Sequence, residues 1–133
     1  QMLSLKLKSV EKKSLIALQF MRNKEDLTMI KWDYDLKTLG TILRDIINKD
    51  DSSKENCEAI LNQIVVCCKY LQYKLNDEDK DWYEFDLNEL IQDCEDAKYY
   101  LDEYDEESNE DNINDILNDF YDLMDSMRVW VGI

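Results

Sequence analysis

The chain has 133 residues, 44% of them hydrophobic, and its 31 acidic side chains outnumber its 16 lysines and arginines to leave a net charge of −15. Hydrophobic content at that level supports one core and excludes the wholly disordered class. No apolar run approaches the ~18 residues of a membrane span, and no basic-then-apolar leader is evident. Histidine is absent, which removes the commonest general base and the commonest zinc ligand, and a chain of this charge repels phosphate, which argues against direct binding of nucleic acid.

In the N-terminal part Leu3, Leu5 and Leu7 alternate with Ser4, Lys6 and Lys8, the period-2 pattern of a half-buried strand. Ser14 to Met21 is almost continuously apolar, Asn23 to Asp26 reads as a turn, and Leu27 to Tyr34 places Ile30, Trp32 and Tyr34 on one parity. These features predict a three-stranded antiparallel meander over residues 1–34, on a basic stretch of the chain. Asp35 is placed to cap a helix through Leu36, Leu39, Leu43, Ile46 and Ile47. Ser52 with Glu55 three residues on forms a capping box. It opens a second helix whose broad apolar face runs from Cys57 through Ile60, Leu61, Ile64, Cys67, Cys68 and Leu71 to Leu75, widened by Val65 and Val66. This helix is expected to be the most buried.

From Asp77 to Asp125 there are 21 acids against Lys80 and Lys98, a local charge of −19 that exceeds that of the whole chain. Apolar residues nevertheless keep helical spacing, so the stretch reads as folded helices with acidic outer faces. Asp86 with Glu89 repeats the capping box and opens a third helix, to about Tyr104, with Leu87, Leu90, Ile91, Cys94 and Leu101 inward. Trp82 and Phe85, just ahead of it, are expected to pack. After a charged break over residues 105–111, a fourth helix turns Ile113, Ile116, Leu117, Phe120, Met124 and Met127 inward and Asp115, Asp119, Asp122 and Asp125 outward. Val129, Val131 and Ile133 alternate with intervening residues and could add a fourth strand. The fold class expected is therefore α+β, an antiparallel meander covered by about four α-helices. A single domain spans 1–133, with a β-rich part at 1–34, core helices at 35–75 and an acidic helical part at 76–133.

Catalytic and metal motifs are missing. Asp77, Asp79 and Asp81 match the first ligand positions of a calcium loop, but Trp82 stands where that loop needs glycine and Asn88 where it needs a bidentate glutamate. A non-catalytic protein without cofactor or metal is expected. The four cysteines lie in apolar helical patterns and form no CxxC pair, which predicts buried thiols in a reducing, cytoplasmic setting. Like charges at helical i,i+4 spacing destabilise by ~0.2–0.5 kcal/mol per pair, and two helices that accept several such pairs suggest a use for them. Carboxylates at that spacing lie ~5–6 Å apart at Cβ, of the order of neighbouring phosphates along a strand. The predicted partner-binding residues are Glu89, Asp93, Asp96 and Glu103 on the third helix, with Tyr100 among them as a ring that can stack on arginine, and Asp115, Asp119, Asp122 and Asp125 on the fourth.

In charge and size the chain resembles toxin-immunity proteins and nucleic-acid-mimicking phage inhibitors. That resemblance implies an inhibitor that docks on a basic partner protein, a toxin nuclease or another nucleic-acid-binding enzyme. The polar layout, basic first and acidic later, favours the immunity type over the phage type. The rival expectation is a small structural or adaptor domain whose acidity serves solubility.

Overall fold

The computed structural model describes residues 34–129. They form four α-helices: α1 (Tyr34–Ile47), α2 (Lys54–Lys74), α3 (Asp77–Tyr99) and α4 (Glu106–Met127). Helix accounts for 83% of the described residues, and there is no strand among them. The α+β expectation is thereby corrected. The sheet rests on period-2 alternation at the two ends of the chain, whereas the described helices bury their apolar faces on one another. α2 packs against α1, α3 and α4, and α3 packs against α4. The N-terminal meander lies almost wholly in residues 1–33, outside the described residues. Its last residue, Tyr34, starts α1 instead of ending a strand.

Leu36, Leu43 and Ile47 of α1 are fully buried. Gly40 is buried between them, and Gln63 of α2 reaches across to donate to the Leu39 carbonyl (2.9 Å), so that the missing side chain of Gly40 accompanies a close approach of the two helices. Asp35, expected as the cap, lies inside the first turn, where its charge complements the helix dipole. Asp50, at φ 51°, turns the chain in the left-handed region.

The cap of α2 is Ser53, one residue later than predicted. Its hydroxyl accepts from the Asn56 amide (3.3 Å) and donates to Asp51 (3.0 Å), and the Asn56 side chain returns to the Asp51 carbonyl (2.7 Å). Ser52 is free of that duty and donates to Glu110 of α4 (2.9 Å), tying the α1–α2 turn to the other end of the chain. Along α2, Cys57, Ile60, Leu61, Ile64, Cys67, Cys68 and Leu71 are all buried, as the spacing predicts. Val65 joins them, whereas Val66 is exposed.

α3 begins nine residues before the predicted Asp86 box. Asn76 caps it by accepting from the Asp79 amide (2.8 Å), and Asp77, Glu78 and Asp79 sit at the positive end of the dipole. The helix stops at Tyr99, short of the expected Tyr104. The connection to α4 is held by Asn109, a buried amide that donates to the carbonyls of Leu101 (3.0 Å) and Tyr104 (3.3 Å). Asp105, expected within a break, is the cap of α4, so the acidic run 106–111 is helical. Asp105 accepts from the Ser108 amide (2.8 Å), and that bond holds its carboxyl below the usual range. At the far end Arg128 takes a left-handed conformation and the Val129 amide donates to the Met124 carbonyl (3.0 Å), a Schellman-type close. Val129 is buried in this role instead of opening a fourth strand, and residues 130–133 lie outside the described residues.

Candidate functional site

Short turns make α3 and α4 antiparallel neighbours, and the spacing of their residues decides what they present. On α3, Asp86, Glu89, Asp93, Asp96 and Tyr100 follow steps of three and four, so they lie along one side, over ~21 Å of helix. On α4, Asn112, Asp115, Asp119, Asp122 and Ser126 do the same. The two rows face each other across an open groove made of two shallow depressions of about 320 and 310 Å³ that share Asp93 and Asp119. Leu90, Ala97, Ile116 and Leu123 form its floor, where the core faces of the two helices meet.

Seven carboxylates line this groove: Asp86, Glu89, Asp93 and Asp96 from α3, and Asp115, Asp119 and Asp122 from α4. No lysine or arginine lines it. Lys98, the basic residue of the last turn of α3, points instead toward α2, where it donates to Asn62 (2.7 Å) and pairs with Glu95 (3.2 Å). Asp93, half-buried at the centre of the groove, has its carboxyl pushed up, first by burial and then by the charges of Glu89, Asp119 and Asp96. The repulsion thus crosses from one helix to the other. At one end Tyr83 closes the two helices by donating its hydroxyl to the Ser126 carbonyl (3.2 Å).

At the other end Tyr100 and Tyr104 line the groove with their rings stacked at 5.9 Å between centroids and 29° between planes. Tyr99 meets Tyr100 edge-on at 5.0 Å. Trp82 and Phe85 are 75% and 73% exposed, which corrects the expectation that they pack. That expectation assumed a chain segment leading into a helix; within α3 the core side is taken by Tyr83, Leu87 and Leu90, and the two rings project outward.

Of the predicted binding residues, Glu89, Asp93, Asp96, Tyr100, Asp115, Asp119 and Asp122 come together on the groove. Glu103, in the α3–α4 turn, and Asp125 are exposed but do not line it. Asp86 was missed because it was read as a cap, although its spacing from Glu89 and Asp93 puts it in the same row. Tyr104 lies beyond the helix, where periodicity gives no signal.

The groove does not gather a metal set. Among the described residues no group of three or more acidic or cysteine side chains is placed to hold a metal ion. Asp77, Asp79 and Asp81 lie in the first turns of α3, where alternate residues point to opposite sides of the helix. All four cysteines are free, buried thiols. Burial pushes Cys57 up to about 11 and Cys67 and Cys94 up to about 12, and Cys68 is pushed up as well. Raised thiols of this kind are poor nucleophiles. No helix among the described residues is long and apolar enough to cross a membrane. No protein-family model matches the chain, no curated protein is detectably similar to it, and no solved structure is detectably similar to its fold.

Proposed function

We propose that the protein is a non-catalytic inhibitor or interaction protein that docks its α3–α4 face on a basic surface of a partner protein. The partner class is a nuclease or another protein whose basic surface binds nucleic acid, in the manner of an immunity protein. The observation that carries this reading is the facing of seven carboxylates across one groove with no basic side chain among its lining residues. Each same-helix pair of such charges costs a few tenths of a kcal/mol in the free protein, and a cationic surface offsets all of these costs at once. Charge complementarity of this kind steers association and selects the partner. A reducing, cytoplasmic setting fits the four free thiols.

The test uses the full chain and a charge-reversed variant, Glu89→Lys/Asp93→Lys/Asp96→Lys, as bait in extract of the source cell. The expected result is a basic nucleic-acid-binding protein that the parent retains, the variant does not, and duplex DNA or rising salt displaces. Identical capture by parent and variant would show that the acidic face is only a solvated surface.

A further inference from the structure

The three exposed tyrosines at the end of α3 are not explained by packing. Neither Tyr99, Tyr100 nor Tyr104 belongs to the core or to the apolar side chains packed on it, and they are 75%, 40% and 48% exposed. Their rings instead order one another: Tyr99 meets Tyr100 edge-on, and Tyr100 stacks on Tyr104. A contiguous exposed aromatic patch is the kind of surface that marks an interaction site. This one opens onto the same depression as Asp96 and Asp115. Gln92 holds Asp96 by donating to one carboxylate oxygen (2.9 Å), so that this acid too has a fixed direction.

We infer that the Tyr100–Tyr104 end of the groove is an arginine-selective subsite, which takes the guanidinium of a basic segment of the partner protein against the tyrosine rings and beside the Asp96 and Asp115 carboxylates. The inference rests on the proposed docking function and adds which cation the surface prefers. The charge of the groove requires a cationic occupant; the rings decide between the two that a protein can offer. A guanidinium is planar, weakly hydrated and able to stack on an aromatic face while its edge donates to carboxylates in parallel. An ammonium is a strongly hydrated point charge that gains less from a ring face and cannot use both contacts in that geometry. Because the rings already order one another, little side-chain entropy remains to be lost when the guanidinium arrives.

Calorimetric titration of the full chain with an arginine-alanine repeat peptide, and with its lysine counterpart of equal length and charge, separates this inference from the reading on which it rests. The arginine peptide should bind about two- to fivefold more tightly, the range expected of a cation–ring contact at an exposed site. Tyr100→Ser/Tyr104→Ser should abolish that preference by bringing arginine-peptide affinity down to that of the lysine peptide, and Tyr100→Phe/Tyr104→Phe, which keeps the rings, should retain it. In the parent, the ring protons of both tyrosines should shift on addition of the arginine peptide and not the lysine peptide, a readout that does not depend on any variant folding. Equal affinity for the two peptides, or a preference that survives the serine variant, would overturn the arginine subsite and leave the docking function standing. Absence of binding by either peptide would overturn both.

Discussion

Asp93→Asn is the substitution that reports most directly on the strain in the groove. Asp93 sits at the centre, half-buried, and its carboxyl is pushed up first by that burial and then by the charges of Glu89 four residues before it, Asp119 across the groove and Asp96 three after it. Each same-helix pair costs ~0.2–0.5 kcal/mol. Two such pairs, with a cross-helix contribution of similar size, make the ionised Asp93 a liability of about 1 kcal/mol at low ionic strength. Asparagine has a helix propensity close to that of aspartate, so the substitution removes the charge with little else. The variant should therefore melt a few degrees higher than the parent at neutral pH, since ~1 kcal/mol corresponds to roughly 4 °C in a chain between the 100- and 150-residue size classes. The pH dependence gives the sign. A carboxyl whose pKa is raised on folding contributes stability that is fully present below its unfolded value and is lost as pH rises through the folded one. The advantage of Asp93→Asn should thus shrink as pH falls below the ordinary carboxylate range, and shrink again in high salt. Thermal melts of parent and variant at neutral and acidic pH measure both effects. A variant no more stable than the parent at neutral pH and low salt would refute the claim that the groove stores repulsion.

Other measurements test the core, the α3–α4 turn and the acidic first turns of α3. Ile64→Ala or Leu71→Ala opens a cavity at a fully buried position of α2, and denaturant unfolding should show a loss of ~2–5 kcal/mol. Asn109→Ala removes the buried amide that holds the Leu101 and Tyr104 carbonyls, which should cost ~1–3 kcal/mol and speed hydrogen exchange in the α3–α4 turn. The four buried thiols, with Cys57 pushed up to about 11 and Cys67 and Cys94 to about 12, should react with a thiol reagent at neutral pH only as fast as the protein opens. Rapid labelling in native buffer would contradict their burial. Calcium should raise the melting temperature no more than magnesium at equal ionic strength, because Asp79 points to the side of the helix opposite Asp77 and Asp81; a saturable calcium-selective rise would contradict that placement.

The helical core was legible in the sequence where one signal acted alone. The apolar steps from Cys57 to Leu71 and from Ile113 to Met127 are interior in the structure, and the outward aspartates of α4 are outward. Boundaries failed where signals competed. In a chain with 31 acids, an Asp-x-x-Glu pair arises inside a helix as readily as at its start, and so Asp86 and Glu89 imitated a cap while Asn76 supplied the real one. Ser52 and Ser53 are equally good caps by residue type. Asn56 and Asp51, whose polar groups bracket Ser53, settle the choice, and that pairing depends on the turn already being made. Trp82 and Phe85 were misplaced for a related reason, because apolar character predicts burial only once the core side of the helix is known. The row of carboxylates on each helix could be read from spacing; the fact that the two rows face each other could not, since it follows from the antiparallel packing of α3 on α4.

That facing arrangement also separates the residues that hold the fold from those that the groove presents. Leu87, Leu90 and Cys94 of α3 and Ile113, Leu117, Phe120 and Met124 of α4 point into the bundle, while the carboxylates stand on the rim of the seam between the two helices. The apolar set fixes the distance and direction of the helices, and so sets the carboxylates opposite one another regardless of their repulsion. A surface acidic only for solubility would gain nothing from such focusing, because net charge serves that purpose wherever it is placed. Charges concentrated along a groove raise the local potential and draw a cation to one line on the molecule. The two lysines of α3 stay off the groove: Lys98 is drawn to Asn62 and Glu95, and Lys80 is not among the lining residues.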